Sequence, residues 1–141
     1  MKENEILRNF QKIFRDNMKK IYLSGPITGV PDFKKEFATA EMELREMGTQ
    51  FGFVNPAEFP FDEKESYSNK LCYCICRLSQ CDAIMMLPGW DKSDGAMAEL
   101  YYAYACWIPV VAYPTEQDKK DRKFSLLKII KNIEVLNGQC K

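Results

Sequence analysis

Histidine is absent from the 141 residues, and so is net charge, since 20 lysine and arginine residues balance 20 aspartates and glutamates. The even balance provides no broad positive field of the kind a phosphate-backbone binder needs, so nucleic acid is not an expected partner. No apolar run approaches the roughly 20 residues that cross a bilayer, and the N-terminus is charged and amphipathic where a signal peptide would be apolar. A cytoplasmic, soluble location without a membrane partner is the expectation. Repeats, low-complexity tracts and linkers are missing too. At 46% hydrophobic residues, the chain can bury one sizeable core but not two.

Without histidine, a metal site would fall to cysteine and carboxylate, and the cysteine spacing works against it. Cys72, Cys74, Cys76 and Cys81 crowd together, with Cys106 and Cys140 apart. On a helix Cys72 and Cys76 lie one turn apart while Cys74 points to the other side, so they do not converge on a tetrahedral ion. Free thiols in a reducing compartment are the simpler expectation, ahead of zinc or a disulfide framework. No metal and no cofactor is expected.

What the chain does contain is alternation. Residues 1–19 place Ile6, Phe10, Ile13 and Phe14 on one face, an amphipathic helical extension that covers either its own domain or a neighbouring subunit. The domain proper then runs over 20–141. Lys20 to Ser24 reads as a first strand, followed by the glycine-bearing turn SGPITG. Pro31 and Asp32 open a helix to about Met47, striped by Phe33, Phe37, Ala40, Leu44 and Met47 and ended by Gly48. Phe51 to Val54 is a second strand broken by Asn55 and Pro56, and Ala57 to Glu65 a loop. A helix spans Ser66 to Ser79, and Asp82 to Leu87 is a buried third strand. A helix starting at Ser93 leads to a strand at Pro109 to Tyr113 and a charged turn at Thr115 to Lys123. Phe124 to Ile133 is a last helix, and Ile133 to Leu136 a possible fifth strand. Strand and helix in strict alternation mark a parallel sheet of four to five strands covered on both faces. Such sheets bind ligands beyond the carboxyl ends of their strands, where SGPITG and the GWDKSDG turn should face each other.

The Ser93 helix carries the chemistry. Gly95 and Glu99 are one turn apart, about 40° on the helical wheel, and side chains lean toward the helix start, so Glu99 overhangs a notch at Gly95. Ala96 and Ala103 leave room beside it. Free N–H groups at the helix start, with the Ser93 hydroxyl, suit an anion such as a phosphate. A carboxylate facing an anomeric carbon acts as nucleophile or stabilises an oxocarbenium-like transition state. On spacing alone, however, a solvated Glu99 behind an ordinary Ser93 cap fits as well.

Four segments add to this. IYLSGPITG (21–29), FVNPAE (53–58), CDAIMMLPGW (81–90) and SDGAMAELYYAYACWIPVV (93–111) resemble, in order and spacing, the nucleoside 2-deoxyribosyltransferase superfamily, which includes the 2'-deoxynucleoside 5'-monophosphate N-glycosidases. The resemblance implies a three-layer flavodoxin-like (Rossmann-like) sandwich assembled as a homodimer or larger oligomer, acting on a small nucleotide or nucleoside. It makes Glu99 the nucleophile at C1', with Tyr22 beside it. Ser93 falls where the monophosphate hydrolases have a phosphate-contacting serine and the transferases an aspartate that holds the 5'-hydroxyl. Gly25, Ile27 and Gly29 frame the ligand, as do Ser24, Pro26 and Thr28 on the same turn, with Asn55, Trp90 and Gly95 completing the expected substrate-binding set. Trp90 fits equally a base-stacking role and a cap on the core. Two positions depart from the family. Cys74 stands where the characterised enzymes carry an acidic residue that serves the leaving base, and a thiol, with an ordinary pKa of about 8.5, is a poor substitute. Thr28 stands where the hydrolases often carry arginine. Asp91 and Asp94 are near enough to take over the proton or to be plain turn residues, and Asp82, at the opposite end of the sheet, is expected to be structural. An N-glycosidase or deoxyribosyltransferase-like enzyme is the leading expectation; a nucleotide-binding module without chemistry and an assembly scaffold are the alternatives.

Overall fold

The structure, a computed structural model, describes residues 20–47, 51–122 and 124–125. The elements are β1 (Lys20–Ser24), α1 (Phe33–Glu46), β2 (Gly52–Val54), α2 (Tyr67–Leu78), β3 (Ala83–Met86), α3 (Asp94–Ala105), β4 (Val110–Ala112) and α4 (Glu116–Asp121). Short 3-10 turns at Pro56–Glu58 and Trp90–Lys92 precede α2 and α3. The strands form one parallel sheet in the order β2-β1-β3-β4, with Tyr22 opposite Val54 on one side and Ile84 on the other. This is the strand order of the flavodoxin-like doubly wound fold.

Alternation along each strand sorts side chains into two cores. Ile21, Leu23, Ala83, Met85 and Val111 face α1, where they meet Phe37, Ala40 and Leu44. Tyr22, Ile84, Met86 and Val110 face α2 and α3, where they meet Cys74, Leu78, Ala96, Leu100 and Ala103. The topology follows from the order. The chain moves outward from β1 to β2 over one face, then crosses back past β1 to β3 over the other, and α3 continues on that second face. The switch point therefore lies between β1 and β3. There the two turns touch as expected. A Cβ on Gly25 would stand 3.0 Å from Leu87 Cβ, and one on Gly89, whose φ of 88° suits glycine, 3.3 Å from Pro26 Cγ.

Two expectations change. The charged stretch after Thr115 is not a turn but helix α4, closed by a capping box in which the Thr115 hydroxyl accepts from the Asp118 N–H and the Asp118 carboxylate from the Thr115 N–H, both at 3.1 Å. Lys119 binds Glu43 of α1 at 3.0 Å, and the Tyr113 hydroxyl donates to the same carboxylate. Phe124 and Ser125 are not helical. Phe124 is buried in the α1-side core, and the Ser125 carbonyl accepts from the Ala112 N–H at 2.9 Å. The N-terminal extension, Gly48, Cys140, the rest of the last helix and the fifth strand lie outside the described residues.

Leu44 is fully buried on the α1 side, away from Glu99. Leu44→Ala should cost about 2–5 kcal/mol, read as a lower denaturation midpoint at unchanged slope.

Candidate active site

The period of two that builds the cores also places Tyr22 and Ser24 on the same face of β1, both fully buried beneath α3. α3 begins at Ser93, whose extended backbone frees its hydroxyl to accept from the Ala96 N–H at 3.2 Å. Glu99 then falls on the side of α3 turned to β1, and it is only 6% exposed. Its two oxygens are held separately. The Tyr22 hydroxyl donates to Oε2 at 2.5 Å and the Ser24 hydroxyl to Oε1 at 2.7 Å.

Burial dominates the electrostatics. It pushes the Glu99 carboxyl up to about 7, while the hydrogen bonds from Tyr22 and Ser24 pull it back down. Tyr22 is held far above the usual phenol range by burial and then by the neighbouring carboxylate, so it remains protonated and serves as a donor. Cys74 is pushed up to about 11, again chiefly by burial, and stays a neutral thiol at ordinary pH. The thiol thus adds a polarisable wall and no charge.

Above Glu99 opens a cleft of about 450 Å³. Of the expected residues it is lined by Gly25, Pro26, Ile27, Thr28, Ser93, Gly95 and Glu99, together with Ala96, Cys74 and Asp94. Tyr22 and Ser24 lie beneath it, both bonded to Glu99, and Tyr22 also meets the Cys74 thiol. Asn55, Trp90, Gly29 and Asp91 do not line it. Asn55 is buried, with its carbonyl accepting from the Ala57 N–H at 2.9 Å, which starts a 3-10 turn. Trp90 packs on the α2 and α3 core, the second of its two expected uses. Asp82 accepts from the Lys20 N–H at 3.2 Å, at the amino end of the sheet. Of the cysteines, Cys72, Cys76 and Cys106 are exposed and Cys74 and Cys81 buried, so Cys74 does turn away from its neighbours. Among the described residues, no three potential metal ligands come together.

Several lining residues were not anticipated. Tyr67, Lys70, Leu71 and Cys74 form one stripe of α2, at steps of three and four, and the whole stripe lines the cleft. Of this stripe the sequence singles out Cys74 alone, and Tyr67, Lys70 and Leu71 share its face by helical spacing. Phe59 and Phe61 come from the connecting loop and pack edge-on against each other and against Tyr73. Lys34 and Lys92 complete a set of three lining lysines. A larger groove of about 740 Å³ lies on the α1 side of the contact between Pro26 and Gly89, and Glu99 does not line it.

Known proteins give this arrangement a context. The model of a family described as a domain of unknown function (DUF4406) matches residues 19–112, two-thirds of the chain. Among solved structures, a conserved protein from Enterococcus faecalis V583 superposes with a TM-score of 0.54 at 23% identity, over 85% of this chain and 75% of that one. A 2-deoxyribosyltransferase from the psychrotolerant bacterium Bacillus psychrosaccharolyticus does so with a TM-score of 0.53 at 20% identity, over 82% and 90%. No curated protein matches in sequence. At these identities the likeness is one of fold.

Because the folded-state pKa of Glu99 lies above its value in the unfolded chain, the native state binds the extra proton, and stability falls as pH rises from about 4.5 to about 7. Glu99→Gln removes the buried charge. The melting temperature of the variant should gain on that of the parent between pH 5 and pH 8, and a constant difference across that window would contradict the assignment.

Proposed function

The chain belongs to the family of the domain of unknown function DUF4406 and has a nucleoside 2-deoxyribosyltransferase-like fold; from that premise we propose that it cleaves the N-glycosidic bond of a small nucleotide or nucleoside, with Glu99 as nucleophile. The observation that carries this reading is the buried Glu99 carboxylate, clamped by Tyr22 and Ser24 at the floor of the cleft. A carboxylate this desolvated is costly to maintain, and the fold spends two buried hydroxyls on orienting it.

In the proposed reaction one Glu99 oxygen attacks C1', the bond from C1' to the base nitrogen breaks, and its electron pair leaves with the base. Water, or a second base, then releases the sugar from the glutamate, giving hydrolysis or transfer. Tyr22 and Ser24 are positioning residues, since each fixes one carboxylate oxygen without reaching the cleft. Ser93 and the free N–H groups of α3, near Lys92, suit the oxygens of a 5'-phosphate. Gly25, Pro26, Ile27 and Thr28 wall the sugar. Assembly into a homodimer or larger oligomer and a cytoplasmic setting belong to the same proposal.

The alternative, a module that binds nucleotide without turning it over, draws on Cys74. Its neutral thiol occupies the floor where a proton donor of carboxylate strength was expected. The two readings separate in one experiment. Incubation with a panel of nucleoside monophosphates should release free base, and Glu99→Ala should abolish that release; undiminished release by Glu99→Ala would sink the mechanism, whereas tight binding with no release would favour the module.

For the enzyme, kcat/KM should rise with pH and level off above about 7, because the nucleophile must be ionised. Tyr22→Phe removes a donor to the ionised form, so the rising limb should move to higher pH. A limb that stays in place would show that Glu99 is not the titrating group.

A further inference from the structure

Tyr67, at the first position of α2, is an exposed aromatic residue whose environment is not accounted for by packing. It is 51% exposed, its ring belongs to neither core, and Ser66 caps the helix without it. Yet its hydroxyl overhangs the start of α3. A Cβ built on Gly95 would lie 3.2 Å from that hydroxyl and 4.0 Å from Ser93 Oγ, so only a hydrogen at position 95 lets the phenol stand there unhindered. Among the described residues no hydrogen bond engages the Tyr67 hydroxyl. Burial of its tip, and then Asp94, Glu99 and Cys74, hold its pKa up, which keeps it a proton-bearing donor. An unengaged donor placed over the notch that Ser93, Gly95 and Glu99 enclose is a binding group waiting for an acceptor.

We propose that Tyr67 contacts the substrate directly, donating a hydrogen bond to an oxygen at the 5' end of the bound nucleoside or nucleotide and closing the mouth of the cleft over it. This rests on the N-glycoside reading. Glu99 fixes where C1' sits, and the hydroxyl stands over Gly95, one turn toward the helix start, so it meets the part of the ligand that extends toward Ser93. Lys70, one turn along the same α2 stripe, and Lys92, beside Ser93, line the same cleft. The acceptor is therefore an oxygen, supplied either by a 5'-hydroxyl or by a 5'-phosphate, and the phenol ring covers it from solvent.

Binding of deoxynucleosides and of their 5'-monophosphates, measured by calorimetry on Glu99→Gln protein to prevent turnover, tests this with and without Tyr67→Phe. Loss of the hydroxyl should weaken binding about 2- to 12-fold if the acceptor is neutral and roughly 10- to 150-fold if it is a phosphate. A loss confined to monophosphates assigns the contact to phosphate and one confined to nucleosides assigns it to the 5'-hydroxyl; an equal loss for both ligand series places the contact away from the 5' end and overturns the proposal. Unchanged affinity in Tyr67→Phe, with ligand still binding to the Glu99→Gln protein, overturns the role of Tyr67 and leaves the N-glycoside reading standing. No binding of any member of the panel to either protein overturns both.

Discussion

The two hydrogen bonds that β1 gives to Glu99 are the constraint on which the site depends. A carboxylate at 6% exposure carries a desolvation penalty that only donors or cations can offset, and among the described residues no lysine or arginine is bonded to it. Two hydroxyls reduce that cost without neutralising the charge, which leaves the group titrating near neutrality. They can converge on one carboxylate only because Tyr22 and Ser24 are two residues apart on a central strand, and because the crossover from β2 to β3 brings α3 over the same face. Strand order, strand period and helix phase all enter one geometry.

That geometry also accounts for the pattern of small residues. Gly25 lets β1 lie against Leu87 at the switch point, and Ala96 and Gly95 keep the face of α3 low where the cleft opens. The walls are then supplied by α2 and the loop before it, which contribute Phe59, Phe61, Tyr67 and Lys70 together with the carboxylates of Asp62 and Glu63. The result is a cleft with a fixed acidic floor, an aromatic side and a lining in which Lys34, Lys70 and Lys92 are offset by Asp62, Glu63 and Asp94.

Much of this was legible from residues alone. The bounds of β1 and α2 and the start of α3 follow from Lys20, from the caps Ser66 and Ser93, and from apolar periodicity, because each signal is local. The notch under Glu99 was legible from the step between 95 and 99. Its two hydroxyl partners were not legible from spacing, since residues 75 and 77 positions distant in sequence meet only through the sheet order; the family resemblance alone set Tyr22 beside Glu99 and Ser24 on the ligand turn. α4 was missed because its stabilisation is a capping box and a tie from Lys119 to Glu43, with no apolar stripe to announce it. Trp90 and Asn55 show the converse: conspicuous residues beside the motif that spend their chemistry on packing and on a turn.

Cys74 decides how the floor behaves. A carboxylate in its place would set two negative groups about one phenol, and one of them would have to hold a proton. The thiol, pushed up to about 11, removes that competition and leaves Glu99 as the one group on the floor that changes charge near neutral pH. Leu78, Leu100 and Tyr22 complete a second core that this neutral group can join without a partner charge. The thiol therefore gives a drier floor in place of a second acid, and Asp94 and Tyr67 line the cleft that opens above it.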